Sequence, residues 1–424
     1  MTAYQQTIDY LFKLQRVGIK LGLDNILSLL EEVGNPQKAW PAIHIAGTNG
    51  KGSTAAILES ILLNAGYKVG LYTSPHLIDF TERMRVNREP MTREDVIRFT
   101  EMVRPLVERI EPSFFEVTTA MAFWHFTNQE IDLAVVETGM GGRLDSTRAV
   151  QPLISVITPI DFDHQFYLGD TIEKIAAEKA GIIQEGVPCI TNNHNPAVLR
   201  VLSETCQKKG SSFIKCFDNS SYQLLASDFS GSSFNLDIAG NLFENLSLNL
   251  PGEHQIENAV LAAGTIVNLQ DKISVADAAF REGLQSVQWK GRIDLISRNP
   301  DIIIDVSHNP CGVEKTLAFV RDYFPRENIT AITMLQDDKE YREICRLFGK
   351  HVNTVWIADL PLGKPLKPET LQKEFRRYPV AVDIIHSIED VITEIDHSKN
   401  ENHLWLFIGS HYLAGEVYKC FSTS

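Results

Sequence analysis

A strand that breaks into a glycine-rich turn and restarts as a helix admits few architectures, and residues 41–64 have that form. Pro41 to Ala46 is an apolar run, Gly47-Thr48-Asn49-Gly50-Lys51-Gly52-Ser53 is the turn, and Thr54 to Asn64 carries Ala55, Ile57, Leu58, Ile61 and Leu62 at helical spacing. Such a unit cradles phosphate: glycines let backbone N–H groups converge on an anion, and the helix N-terminus adds partial positive charge. Lys51 contributes a mobile full charge, and Ser53 and Thr54 offer hydroxyls to a magnesium ion travelling with the phosphates. The strict P-loop spacing is not kept. Ile45 stands where the first glycine belongs, and Gly52 separates Lys51 from the hydroxyl. A lysine and two hydroxyls at the helix start still favour a nucleoside triphosphate site over an ordinary turn.

The unit recurs. Lys68 to Tyr72, Asp132 to Val136 and Leu153 to Thr158 read as buried strands, and Thr171 to Gly181 as a short helix with a glycine stop. This alternation predicts an α/β fold with a mostly parallel, doubly wound sheet. Residues 4–33 read as helical, with Tyr10, Leu11, Leu14, Leu27, Leu29 and Leu30 as core positions and an interruption at Gly18 and Gly22. Thr92 opens an amphipathic helix, and another begins at Phe114. From 211 to 250 the pattern suggests edge strands or a small appended sheet, and helical character returns from Glu253 to residue 284. A second, smaller α/β series follows, with strands at Ile302 to Val306, Thr330 to Leu335, Val352 to Ala358 and Leu404 to Ile408. A chain of 424 residues exceeds one core, so two domains are expected, 1–291 and 292–424.

Open parallel sheets bind ligands beyond the carboxyl ends of their strands. That makes Ser74, His76, Arg83 and Arg85 candidates to lie near the phosphates, with a solvated surface loop as the competing expectation and the favoured one for each arginine taken singly. It also places Glu137, which closes a strand beside a glycine turn, where a magnesium ligand belongs. Asp305, Ser307, His308 and Asn309 stand at the corresponding point of the second series.

The net charge of −14 with no long basic run excludes non-specific nucleic-acid binding. The apolar runs are far shorter than the roughly 20 residues that span a bilayer. Six scattered cysteines without a CxxC pair, and no visible signal peptide, point to a cytoplasmic protein with reduced thiols. No GxGxxG follows the first strand, which argues against a dinucleotide oxidoreductase.

Several separated motifs resemble the folate branch of the Mur ligase family, the folylpolyglutamate and dihydrofolate synthases. They are Gly47 to Ser53, Thr73-Ser74-Pro75-His76-Leu77, Glu137 to Asp145, Asp163-His164 with Leu168-Gly169, and Ala177-Glu178-Lys179-Ala180-Gly181. The series continues with Gly252-Glu253-His254-Gln255, Asn258-Ala259, Trp289-Lys290-Gly291-Arg292, Asp305 with His308-Asn309-Pro310, and Gly409-Ser410. The resemblance implies a ligase that phosphorylates a pteroate or folate carboxylate with ATP and joins the acyl phosphate to L-glutamate. It implies that Gly47, Thr48, Asn49, Gly50, Lys51, Gly52 and Ser53 hold phosphate, with Asn258, Arg292 and Asp305 on the nucleotide. Ser53, Ser74, Glu137 and His164 resemble ligands of two magnesium ions, and Lys179 matches a lysine that is carbamylated. His308 and Ser410 fall on the glutamate side; Asp145, Phe115 and Arg83 fall on the pterin side. A monomer acting on small molecules is expected. The competing expectations are a P-loop protein that only hydrolyses nucleotide and a regulatory paralogue without ligase activity. Ser146-Thr147-Arg148 and Asp161 depart from the family pattern and bring charge towards the pterin and metal sites.

Overall fold

The computed structural model describes residues 2–14, 22–397 and 402–422. Gly18 and most of the expected interruption around it lie outside these residues. The chain divides into two units. One comprises Met1–Leu225, Ser233–Asn249 and Gln255–Gln288; the other comprises Ala226–Ser232, Leu250–His254 and Trp289–Ser424.

The first unit is built on eight strands: β1 (Ala42–Ala46), β2 (Val69–Tyr72), β3 (Met84–Val86), β4 (Glu89–Pro90), β5 (Leu133–Glu137), β6 (Pro152–Ile157), β7 (Cys189–Thr191) and β8 (Phe213–Lys215). Their order is β4-β3-β2-β5-β1-β6-β7-β8. Pairing is parallel from β2 to β8 across the sheet, and β3 and β4 form an antiparallel edge. This is the doubly wound, mostly parallel sheet expected. β1 and β5 are buried along their whole length, which is why they read as continuous apolar runs. β1 lies between β5 and β6, with Ile43 opposite Val135 on one side and Ile154 on the other. The chain leaves β1 towards one side of the sheet and later fills the other, so a switch point opens at the carboxyl end of β1.

The helix after β1 runs Lys51–Asn64, three residues longer at its start than the apolar spacing predicts. It is buried continuously from Gly52 to Leu62, so no single apolar face exists. Helix Asp277–Gln285 covers it at close range: a Cβ on Gly283 would stand 2.5 Å from Ile61 Cα. Helices Ala3–Leu14, Asp24–Glu32, Arg93–Ile110 and Phe114–Asn128 surround a core containing Leu11, Leu29, Phe99, Phe123 and Phe126. Trp40 meets Phe123 edge-on at 5.4 Å. Truncating a buried phenylalanine of this kind costs about 3–5 kcal/mol. Thr92 caps its helix by accepting from the Asp95 amide, and Ser113 with Glu116 forms a full capping box. Residues 211–250 contain β8 and the three-stranded sheet of β9 (Ser220–Asp228), β10 (Gly231–Ile238) and β11 (Asn241–Leu248).

The second unit carries β12 (Asp294–Ser297), β13 (Asp301–Asp305), β14 (Ile329–Thr333), β15 (Thr354–Ala358), β16 (Ala381–Ile385) and β17 (Leu404–Ile408), ordered β12-β13-β17-β14-β15-β16. Only β12 is antiparallel. β17 inserts between β13 and β14, pairing Ile408 with Asp305 and with Thr333. The carboxyl ends of these three strands therefore open side by side.

Candidate active site

Three loops leave the carboxyl ends of the adjacent strands β5, β1 and β6. The β1 loop is stitched to the β6 loop: Thr48 N and Asn49 N both donate to Pro159 O, at 2.9 and 3.2 Å. The Thr48 hydroxyl donates to Asp161 O at 3.0 Å and accepts from Asp161 N at 3.1 Å. These amides are spent on the fold. The donors left to face an anion are Gly50, Lys51, Gly52 and Ser53, the N-terminal amides for which a helix provides no internal acceptor. Two glycines are dictated by their surroundings. A Cβ at Gly47 would fall 1.8 Å from Thr158 Oγ1; one at Gly50, where φ is +85°, would fall 2.3 Å from Asn258 Oδ1. Asn258 Nδ2 donates to Gln255 Oε1 at 3.0 Å, which fixes the amide against the loop.

Charge gathers around this cradle. Lys51 Nζ donates to Thr48 O at 3.3 Å and lies 3.8 Å from Glu137 Oε1. The other Glu137 oxygen accepts from Ser74 N at 3.4 Å. The fold thus brings Lys51, Glu137 and Ser74 together. Ser53 is buried at the helix start. His164 begins the short turn Gln165–Leu168 in the left-handed region, φ +49°, with its amide donating to Asp163 Oδ1 at 2.9 Å. Lys179 is 4% exposed, and its amine donates to Gly47 O at 2.5 Å. Burial, reinforced by the Lys51 charge, lowers the Lys179 pKa from 10.5 to about 7, against opposing pulls from Asp163 and Asp145.

Among the described residues no three His, Cys, Asp or Glu side chains cluster at metal-binding spacing. Magnesium does not require such a cage. It takes one or two carboxylates and completes its shell with water and substrate phosphate. The Glu137 carboxylate, held at the strand end by the Ser74 amide and 3.8 Å from Lys51 Nζ, fits that requirement.

On the pterin side of the expected site, Arg83 is buried. Its Nε donates to His76 Nδ1 at 2.9 Å, and its guanidinium lies over the Phe114 ring at 5.3 Å. Phe115 packs against Gly139, where a Cβ would come within 2.4 Å of the ring, and lies 6.1 Å from Tyr72. Asp145 Oδ2 accepts from Met140 N at 2.9 Å, and Oδ1 accepts from Thr147 N at 3.0 Å and Thr147 Oγ1 at 2.5 Å. Burial raises the Asp145 pKa and these donors oppose the rise.

Arg85 departs from expectation. It pairs with the buried Glu59, eight residues beyond Lys51 and so about 12 Å down the helix. Arg148 is likewise occupied: its Nε donates to Gly181 O at 2.7 Å, at the end of helix Ile172–Ala180. The Asp161 carboxylate accepts from the neighbouring Phe162 amide at 2.8 Å. Sequence reasoning passed over His44, a titratable side chain inside a fully buried strand; that mismatch was the signal available.

The second unit holds the remaining residues. Asp305 Oδ2 accepts from Ile293 N at 2.9 Å and Oδ1 from Ser307 N at 2.8 Å, so one carboxylate ties the turn carrying Arg292 to the end of β13. Gly291 N donates to Tyr418 Oη at 2.8 Å. His308 Nδ1 lies 2.9 Å from Val306 O; a carbonyl can only accept, so that nitrogen carries a proton. The His308 and His411 rings are 5.5 Å apart, and Ser410, buried after β17, accepts from Tyr412 N at 3.1 Å.

A family model for the Mur ligase middle domain matches residues 45–266, and one for the Mur ligase glutamate ligase domain matches residues 291–411. The dihydrofolate synthase/folylpolyglutamate synthase of Bacillus subtilis is 34% identical, with 99% of each chain covered. The chain belongs to the folate branch of the Mur ligase family. Solved structures agree with the fold of this Mur ligase. Mycobacterium tuberculosis folylpolyglutamate synthase, complexed with ADP and AMPPCP, aligns with a TM-score of 0.90 at 28% identity, covering 99% of this chain and 98% of that one. Escherichia coli FolC in complex with DHPP and ADP aligns with a TM-score of 0.87 at 27% identity over 98% of each chain. Among the described residues of this Mur ligase, no helix is long and apolar enough to cross a membrane.

Proposed function

We propose that this chain is an ATP-dependent carboxylate–amine ligase that adds L-glutamate both to dihydropteroate and to tetrahydrofolate or its polyglutamates, releasing ADP and phosphate. The observation that carries the reading is the cradle itself: four helix-start amides, with Lys51 opposite Glu137 and a buried Lys179 beneath Gly47. In this reading residues 1–291 form the ATP-binding domain and 292–424 the glutamate-ligase domain, and the protein is a cytoplasmic monomer.

A carboxylate is a poor acyl donor, and transfer of the γ-phosphoryl group turns one of its oxygens into a leaving group. The amides of Gly50 to Ser53 and the Lys51 ammonium hold the phosphates and take up charge as the phosphoryl moves. Ser53, Ser74, Glu137 and His164 would hold magnesium, which supplies Lewis-acid charge to the transferring group when bound. Lys179 is suited to carbamylation, because a pKa lowered to about 7 leaves much of the amine unprotonated at neutral pH, and the unprotonated amine is the nucleophile that adds to CO2 with release of a proton. The resulting anion would balance Lys51 and the metal. Asn258, Arg292 and Asp305 orient the nucleotide, His308 and Ser410 the incoming glutamate, and Arg83, Phe115 and Asp145 the pterin substrate.

The test is acceptor-dependent ADP release with Mg-ATP and L-glutamate, comparing dihydropteroate, tetrahydrofolate and no acceptor, with product masses. A gain of one glutamyl unit on both acceptors is expected. Gain on one alone removes bifunctionality, and ADP release without any adduct sinks the ligase reading.

A further inference from the structure

His44 lies in the middle of β1, fully buried, flanked along the strand by Ala42, Ile43, Ile45 and Ala46. Its Nε2 is 2.9 Å from Thr147 Oγ1, and that hydroxyl is 2.5 Å from Asp145 Oδ1. The direction of each bond follows from proton counting. The Asp145 carboxyl receives the amides of Met140 and Thr147 and is the acceptor of the set. Thr147 therefore spends its single hydroxyl proton on Asp145. Towards His44 it can only accept, so His44 carries its proton on Nε2. The other ring nitrogen, Nδ1, is buried with no hydrogen-bond partner. A bare acceptor is easier to leave there than an N–H, which supports the same tautomer. Burial, with the Arg148 charge adding to it, drives the His44 pKa down to about 3, so the ring stays neutral through the physiological range.

We propose that His44 is a positioning residue for the ligase reaction: its Nε2–H fixes the Thr147 hydroxyl on Asp145 and so holds Asp145 in one orientation towards the pterin substrate. A hydroxyl without a donor behind it is a weaker and more mobile donor ahead. Asp145 closes the loop that starts at Glu137, and its orientation decides how the backbone from Met140 to Thr147 is presented. The inference rests on the reading of Asp145 as a pterin-side residue.

The experiment compares kcat and KM for dihydropteroate and for ATP in His44→Met, His44→Gln, Thr147→Val and Asp145→Asn. His44→Met should raise the KM for dihydropteroate about five- to ten-fold, the size of one lost hydrogen bond. The KM for ATP should stay within about two-fold of wild type. His44→Gln keeps an N–H at the same place and should recover most of the loss. Thr147→Val should match His44→Met, and the double variant should be no worse than either. Equal damage to both KM values in Gln and Met variants would reduce His44 to packing and overturn the proposal. So would an unchanged dihydropteroate KM in His44→Met when Asp145→Asn raises it. If His44→Met does not fold, Gln and Val carry the comparison. If Asp145→Asn itself leaves the dihydropteroate KM unchanged, the substrate role of Asp145 falls. The positioning link is then read from nitrogen-15 spectra of labelled histidine. A neutral, Nε2-protonated His44 whose signal shifts in Thr147→Val supports the link, and an Nδ1-protonated ring refutes it.

Discussion

Gly50 and Asn258 approach so closely that no side chain fits between them: a Cβ at position 50 would sit 2.3 Å from the Asn258 amide oxygen. The same residue holds φ at +85°, so space and backbone conformation make one demand. Asn258 thereby becomes part of the wall of the phosphate loop, 208 positions away in sequence but in the same unit.

Gly50→Ala should therefore strike nucleotide binding before it strikes the fold. A left-handed backbone costs an alanine about 1–2 kcal/mol, before any displacement of Asn258. The KM for ATP should rise at least about ten-fold, read from ADP release at varied ATP. An alanine variant with wild-type KM would mean that the loop can move aside, and that Asn258 does not define it.

Glu137 sits between Lys51 and the Ser74 amide. Replacing its charge while keeping its shape, Glu137→Gln, should lower kcat by about 100-fold or more, the scale of a lost charge partner in phosphoryl or acyl transfer. Raising magnesium should recover part of that loss. A variant equally slow at all magnesium concentrations would instead assign Glu137 to holding Lys51.

How much of this was legible depended on how local the cause was. The strand, turn and helix of 42–64 could be read because apolar run, glycines and lysine are contiguous. The apolar spacing there marked the helix but not its burial on every side, because helix Asp277–Gln285, which covers the side a surface helix would leave polar, lies more than 200 residues on. β12 and β16 escaped notice because they are the two edges of the second sheet: their residues are half-buried or exposed, and an acid, Asp294 or Asp383, stands among the apolar ones. Arg85 was drawn to the phosphates by its place after a strand, but the partner that claims it, Glu59, is a buried carboxylate on a helix. Asn258 and Arg292 came from family resemblance alone, since no local pattern marks them. His44 was passed over inside an apolar run, and its partner Thr147 lies 103 residues away.

Lys179 makes stability depend on pH in an unusual direction. Its pKa is about 7 folded and 10.5 ordinarily, so between those values the unfolded chain binds more protons. Stability then rises with pH across that window, and the full cost of burying the ammonium is felt below about pH 7. Lys179→Met should raise the thermal midpoint relative to wild type at pH 6, with the difference shrinking by pH 9. The same amine should take up carbon-13-labelled CO2 more completely at pH 8.5 than at pH 6, seen as a carbamate resonance absent from the Met variant. Uptake indifferent to pH, or equal in both proteins, would remove Lys179 from that role.

Asp305 offers the sharpest division between structural and substrate duties. Both its oxygens are engaged by backbone, one by Ile293 N beside Arg292 and the other by Ser307 N beside His308. Asp305→Asn turns one acceptor into an NH2 group facing an amide N–H. Leaving a buried donor unsatisfied costs about 1–3 kcal/mol, so the thermal midpoint should fall. Because the two turns share the carboxylate, the KM for ATP and the KM for glutamate should rise together. Ser410→Ala, which leaves that carboxylate untouched, should raise the KM for glutamate alone. If Asp305→Asn raised only the KM for ATP at unchanged stability, its part would be direct contact with the nucleotide, and the two turns would be held by their own packing.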